Sequence, residues 1–193
     1  MKTFVRAGLV GLAAITLGAV TSGPVQADTC ARNTACNTTL TFTVTAGALE
    51  ITVPDSAALS HSAASGGYPY GQLGAITVND ARGSITPDWT VSVIASDFTT
   101  GAASSAETVS NADVYYCSGD ATTAGNGLFV AGQTGCAAPP PPSGVTLDVT
   151  RTAFSHSGGT GVNSATWNPM VTVATAASNV AGDYTGTITH IVA

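Results

Sequence analysis

The feature that most constrains the fold is the alternation of apolar and polar side chains across residues 76–98. Ile76 and Val78 alternate with Thr77 and Asn79, and Trp89, Val91 and Val93 alternate with Thr90 and Ser92. Successive side chains of a β-strand point to opposite faces, so both arms are predicted as half-buried strands. Between them, Asp80-Ala81-Arg82-Gly83 and then Pro87 are typical of a tight turn. We therefore expect a strand, a turn and a second strand that together form a hairpin.

Similar alternation recurs along the chain, and β-branched residues dominate it. No stretch shows helical periodicity at useful length. Residues 54–71 and 155–161 are rich in serine, glycine and alanine and are predicted as loops. This pattern predicts an all-β protein, an antiparallel β-sandwich of about 8–10 short strands. Besides the two arms, strands are predicted at residues 40–44, 49–53, 113–118, 128–130, 145–149, 167–173 and 184–192.

The first residues have the pattern of a secretory signal peptide. Lys2 and Arg6 precede an apolar run at residues 7–20, and Val25-Gln26-Ala27 ends in a small-x-small pattern. We expect cleavage after Ala27 and a single mature domain at residues 28–193. The apolar run is too short to span a bilayer, so the mature protein is expected to be secreted without a transmembrane segment.

The charge balance disfavours nucleic acid as a partner. Removal of the leader leaves three cationic residues, Arg32, Arg82 and Arg151, against eleven acidic ones, a formal net charge of −8. Nucleic-acid binding depends on cationic side chains at phosphates. Only 8% of all residues are charged, so the surface is expected to be polar mainly through threonine, serine, asparagine and glycine.

Four cysteines remain in the mature chain: Cys30, Cys36, Cys117 and Cys136. An even count in an exported protein favours disulfides, for which three pairings exist. We favour Cys30–Cys36 and Cys117–Cys136, because each pair closes a polar loop at low entropic cost. The spacing lacks the close Cys-x-x-Cys pairs of a zinc site. We therefore expect a disulfide-stapled fold without metal or cofactor.

Four parts of the sequence belong to one pattern: Asp80-Ala81-Arg82-Gly83, Trp89-Thr90-Val91, Asp97-Phe98 and residues 182–192. Together they resemble the WxL domain family, exported surface proteins of Gram-positive bacteria. In that family a D-x-R-G turn precedes the first Trp-x-Leu motif, and a second such motif ends a tyrosine-containing last strand. The resemblance runs from about Thr39 to the C-terminus and implies non-covalent attachment to the cell wall, through peptidoglycan or surface proteins. In this chain Trp89-Thr90-Val91 has valine in place of leucine, and His190-Ile191-Val192 stands at the second motif.

Four residues are candidates for binding: Arg82, Trp89, Tyr184 and His190. Period-2 counting places Trp89 on the core-facing side of its strand. Packing in the core is therefore favoured over stacking of its ring on a glycan. The same counting places Tyr184 and His190 on the inward face, which favours a buried, hydrogen-bonded histidine. Arg82 could bind an anionic wall group, but pairing with Asp80 or Asp88 at its turn is favoured.

The sequence predicts a non-enzymatic protein. It contains no Gly-x-Ser-x-Gly elbow and no His-Glu-x-x-His motif. The weaker enzymatic alternative would use two of Asp80, Asp88 and Asp97 as paired carboxylates for glycoside hydrolysis. A second non-enzymatic hypothesis is an assembly subunit, a homo-oligomer in which exposed strand edges pair to build a surface layer or fibre.

Overall fold

A computed structural model describes residues 29–193, so the predicted leader at residues 1–27 lies outside the described residues. The chain divides into two compact units, Met1–Thr43 and Val44–Ala193. Of the first unit, residues 29–43 are described and contain no strand. All the described strands belong to the second unit.

The second unit is all-β, as the sequence predicts. Ten of its fourteen strands have four or more residues, which agrees with the expected 8–10, and two short 3₁₀ turns precede β6 and β7. The strands are β1 (Leu49–Thr52), β2 (Tyr70–Gln72), β3 (Ile76–Ser84), β4 (Trp89–Ala95), β5 (Phe98–Thr99), β6 (Thr108–Val109), β7 (Val114–Cys117), β8 (Ala121–Ala124), β9 (Leu128–Ala131), β10 (Val145–Thr146), β11 (Arg151–Ser157), β12 (Gly161–Trp167), β13 (Met170–Val173) and β14 (Ile188–Val192).

The strands form three four-stranded antiparallel sheets and one β5–β6 ribbon. Two sheets, β1-β3-β12-β8 and β10-β7-β13-β2, continue one another, because β2 leads into β3, β7 into β8 and β12 into β13. We call this pair of sheets the first layer. The third sheet, β14-β4-β11-β9, is the second layer.

Both layers contribute side chains to one core. The rings of Phe154 on β11 and Trp167 on β12 stack across the layers with centroids 5.0 Å apart. Ile76 and Val78 from the first layer are fully buried, as is Val91 from the second. Burial of apolar surface from both layers is the main stabilising contribution to a sandwich of this kind.

The expected hairpin at residues 76–98 is wrong in its pairing. Both arms are strands with the predicted buried faces, but β3 pairs with β1 and β12, whereas β4 pairs with β11 and β14. The chain therefore crosses from one layer to the other at Ile85–Asp88. Moreover, Asp80–Gly83 lies inside β3, at the point where the register of β3 with β12 shifts, and not in the turn. Alternation identifies a strand and its buried face, but carries no information about its partner.

The expected strand at residues 40–44 is also not formed. These residues are outside every strand of the described chain, and the side chains of Leu40, Phe42 and Val44 are 85%, 80% and 82% exposed. A strand needs a neighbour to pair its peptide groups, and none of the described strands pairs with this segment.

Most of the two consecutive strands β11 and β12 was not predicted from the sequence. The predicted loop at residues 155–161 contains the end of β11 and the start of β12, which are joined by a short turn. In β11 the pairing register with β4 shifts between Thr152 and Phe154, so Ala153 and Phe154 are both buried. This bulge interrupts the period-2 pattern by which strands are recognised.

Both expected disulfides are confirmed. Cys30 and Cys36 lie in the first unit with their Cα atoms 5.9 Å apart, and Cys117 and Cys136 lie in the second with theirs 5.7 Å apart. The second bridge encloses β8 and β9. Among the described residues, no helix has the length and apolar character that a membrane span requires.

Candidate functional site

An open groove of about 760 Å³ lies within the second unit. Its walls come from both layers, since β13 lies on one side and β14 on the other. Residues 53–65 and 179–187 border it. A concave, mainly apolar site with a few polar groups is the usual form of a ligand site. The apolar lining comes mainly from Leu73, Phe98, Val109, Val171, Val173 and Ile188.

Tyr184, one of the predicted binding residues, lines this groove. Its hydroxyl lies 2.8 Å from the carbonyl oxygen of Val180 and 3.2 Å from that of Ala106. The buried amide of Asn179 secures the same border, because it accepts a hydrogen bond from Ala176 N and donates to the carbonyl of Thr108. The Tyr184 hydroxyl thus holds the 179–187 border, while its ring lines the groove.

His190, the second predicted residue in the groove, is partly buried on β14 as expected. Its Nε2 lies 3.2 Å from the hydroxyl of Tyr116, which also accepts a hydrogen bond of 3.1 Å from the indole of Trp167. The hydroxyl of Tyr116 therefore links the ring of His190 on β14 to the indole of Trp167 on β12. Burial lowers the pKa of His190 from 6.5 to about 4 and raises the pKa of Tyr116.

His61 adds an aromatic face that the sequence did not single out for binding. It is exposed, lines the groove and stacks on Tyr70 with ring centroids 4.1 Å apart and planes within 5°. The backbones of the two residues also form an isolated bridge, with both hydrogen bonds near 3.0 Å. This bridge fixes the stacked pair at the border of the groove. The predicted loop at residues 54–71 contained both residues, but no pattern in it indicated their contact.

Arg82 and Trp89 lie outside the groove. Arg82 forms a two-pronged pair with the buried Asp80, with both N–O distances 2.8 Å, and donates to the carbonyl of Asp88. Trp89 is 2% exposed, and its indole donates to Asn163. The structure therefore gives Arg82 the favoured pairing role and Trp89 the favoured core position, and brings neither to Tyr184 and His190.

The three carboxylates considered for catalysis are each held by a local hydrogen bond. Asp80 pairs with Arg82, Asp88 accepts from the backbone N–H of Gly158 at 2.7 Å, and Asp97 accepts from that of Asn111 at 2.8 Å. None of them lines the groove. Hydrogen bonding of this kind is typical of carboxylates that secure turns and strand ends.

The lining of the groove carries little charge. Its carboxylates are Asp55 and Asp183, and the lining residues within the described part of the chain include neither lysine nor arginine. Within residues 29–193, no group of three histidine, cysteine or acidic side chains converges to hold a metal ion. The available chemistry is therefore apolar contact, aromatic faces and uncharged hydrogen-bonding groups.

Comparisons of the chain with models of protein families, with known proteins and with solved structures found no match. The resemblance to the WxL family therefore stays a prediction.

Proposed function

We propose that this is an exported, non-enzymatic cell-surface protein that associates non-covalently with the cell wall, through peptidoglycan or surface partner proteins, and that the groove between β13 and β14 is its binding site. The observation that carries this proposal is the groove itself, about 760 Å³ in volume and nearly uncharged. The carboxylates considered for catalysis lie elsewhere and are engaged in local hydrogen bonds.

Export is supported by the leader-like N-terminus and by two disulfides, since such bonds persist mainly in oxidising compartments outside the cytoplasm. The resemblance of Asp80–Gly83 and Trp89 to the WxL family agrees with a location at the wall. In this proposal, however, those two motifs stabilise the fold, and the contact with the partner is made by the groove.

The chemistry of the groove suits an uncharged, extended occupant. Aromatic faces such as those of His61 and Tyr184 stack on sugar rings or pack on apolar side chains, and hydroxyl and amide groups supply hydrogen bonds. An anionic polymer would find two carboxylates and no cation along the lining. A neutral glycan or a protein segment is therefore favoured as the occupant.

The test is a pull-down of the purified mature protein with isolated cell walls. Ser62 is exposed and lines the groove, so Ser62→Trp should narrow it without disturbing the core. Thr122→Trp on the exposed β8 is the matched control. We expect wild type and Thr122→Trp to be enriched on walls and Ser62→Trp to lose at least about half of that binding. The absence of enrichment over an unrelated acidic β-sandwich would refute the proposal.

A second candidate function is assembly into a surface layer or fibre. It is favoured by one observation, the exposed apolar alternation at Leu40, Phe42 and Val44. Light scattering of the mature protein at increasing concentration tests this candidate, because a strict monomer at high concentration argues against assembly.

A further inference from the structure

The segment at residues 39–45 has the composition of a strand, but none of the described strands pairs with it. Its sequence is Thr-Leu-Thr-Phe-Thr-Val-Thr, with three large apolar side chains at alternate positions. All three are at least 80% exposed, although large exposed apolar groups in regular alternation are uncommon on a monomer. Such a segment can bury its apolar face when it pairs with the edge of another sheet.

The second unit offers an edge with the matching geometry. β14 is the outer strand of the second layer and, among the described strands, pairs only with β4. Hydrogen bonds join Ala193 to Thr90 and Thr187 to Ser96, and bonded pairs alternate along an antiparallel ladder. The peptide groups of Ile188, His190 and Val192 therefore point away from β4, towards the free edge, which no described strand pairs with and near which β1 lies.

The groove begins beside this edge. Ile188 and His190 line it, and their side chains face inward while their peptide groups face the free edge. A strand added along β14 would pair with those peptide groups and place every second side chain towards the groove. Binding at the edge of β14 thus requires an extended segment with apolar residues at alternate positions.

The segment and the groove both carry little charge. The segment at residues 39–45 contains no charged side chain, and the lining of the groove carries only Asp55 and Asp183. Insertion would therefore desolvate few ionised groups. The threonines between the apolar residues would face outward, beside the exposed Thr189 and Ile191 of β14.

We propose that residues 39–45 of one copy add as a strand to β14 of a second copy and insert Leu40, Phe42 and Val44 into its groove. This inference rests on the proposed function only in taking the groove as the binding site, and it names the occupant as a second copy of this chain. The segment at residues 39–45 and the site at β14 are different surfaces of the same protein. Each copy can therefore insert its segment into one neighbour and bind the segment of another. Such contacts build an open chain unless two copies exchange segments and close into a dimer.

The mass of the mature protein over about a hundredfold range of concentration tests this inference, with sedimentation velocity as the measurement. Leu40→Asp/Phe42→Asp changes only side chains that are exposed in the single copy, so the variant should fold. Thr41→Asp/Thr43→Asp places the same charges on the other face of the segment. We expect wild type and the threonine variant to associate, and the Leu40/Phe42 variant to associate at least about tenfold more weakly.

A synthetic peptide of residues 38–46 provides a second measurement. It should bind the mature protein and reduce its self-association, and the same peptide with aspartate at positions 40 and 42 should do neither. A wild-type protein that stays monomeric and does not bind the peptide would overturn the inference. Self-association that the Leu40/Phe42 substitutions leave unchanged would also overturn it.

The wall pull-down distinguishes the failure of this inference from the failure of the proposed function. Enrichment of a strictly monomeric protein on walls, sensitive to Ser62→Trp, would keep the groove as a wall-binding site and overturn strand donation. Association without any wall enrichment, sensitive to Leu40→Asp/Phe42→Asp, would support strand donation and count against attachment to the wall.

Discussion

The indole Nε1 of Trp89 donates a hydrogen bond of 2.7 Å to Oδ1 of Asn163, and this contact joins β4 of the second layer to β12 of the first. The amide of Asn163 also lies 3.3 Å from the carboxylate of Asp80, which is paired with Arg82. A continuous polar chain thus connects the Asp-x-Arg-Gly run to the tryptophan through the buried interior. In this protein, hydrogen bonds through Asn163 link the two motifs of residues 76–98, whose strands do not pair as a hairpin.

Replacement of Asn163 should destabilise the protein through an unsatisfied indole. Asn163→Leu keeps most of the side-chain volume but leaves the buried N–H of Trp89 without an acceptor, which costs about 1–3 kcal/mol in the free energy of unfolding. Urea unfolding provides the measurement, and Ser164→Ala on the same strand is the control. In Trp89→Phe/Asn163→Leu both partners are removed, so the double variant should cost less than the sum of the single ones. Additive costs would contradict the proposed coupling.

Loss of Arg82 should leave an unpaired carboxylate in the interior. The hydrogen bonds from the Arg82 side chain hold the pKa of Asp80 below 3.8, so this group stabilises the fold above that pH, and the contribution is lost as the pH falls through the lower pKa. Because Arg82 is about a third exposed, we expect Arg82→Gln to cost only about 1–3 kcal/mol at neutral pH. Urea midpoints at neutral and acidic pH provide the measurement. Asp80→Asn/Arg82→Gln should recover part of the loss, and no recovery would argue against the pairing.

As the pH falls, the protonation linked to His190 should destabilise the protein at a higher pH than the protonation linked to Asp80. The pKa of His190 is about 4 in the folded state against 6.5 in the unfolded chain, so the unfolded state binds the proton first as the pH falls. Stability is therefore complete above about pH 6.5 and declines towards pH 4, by up to about 3 kcal/mol. His190→Phe should flatten this part of the profile, and the change His61→Phe at an exposed position should not. A profile for His190→Phe identical to that of wild type would contradict the assignment.

Gly83 should be required because of its positive backbone φ, and not because a larger side chain would lack space. Its φ is +61°, yet a Cβ atom placed there would have nothing within 4 Å. Asparagine tolerates this left-handed conformation and β-branched residues do not, so Gly83→Asn should cost less than about 1 kcal/mol and Gly83→Val about 1–2 kcal/mol. Thermal unfolding compares the two. Equal costs would indicate that contacts, rather than φ, determine the residue at this position.

The fold class could be predicted because one face of most strands is buried. Burial alternates as expected along β3, β4 and β14, and their buried faces were identified correctly. The pairing of β3 and β4 could not be predicted, since their alternation is compatible with a hairpin or with a crossing between layers. β11 escaped detection because its bulge places two buried residues, Ala153 and Phe154, next to each other.

The candidate site could be predicted only where it lies on a regular strand. Period-2 counting along the predicted strand at residues 184–192 places both Tyr184 and His190 on the inward face, although β14 itself begins at Ile188. The rest of the groove depends on contacts between distant segments, such as the stacking of His61 on Tyr70 or the 179–187 border held by Asn179. Local patterns carry no information about such contacts, which depend on the complete topology.

The bridge between Cys117 and Cys136 should contribute more to stability than that between Cys30 and Cys36. It closes a loop of 19 residues that contains β8 and β9, whereas the other closes one of six. Cross-linking restricts the unfolded chain more as the loop lengthens, and a loop of the larger size corresponds to about 3 kcal/mol. We expect Cys117→Ser/Cys136→Ser to lower the urea midpoint clearly more than Cys30→Ser/Cys36→Ser. Equal losses would indicate that the N-terminal loop stabilises the fold through contacts and not through chain entropy.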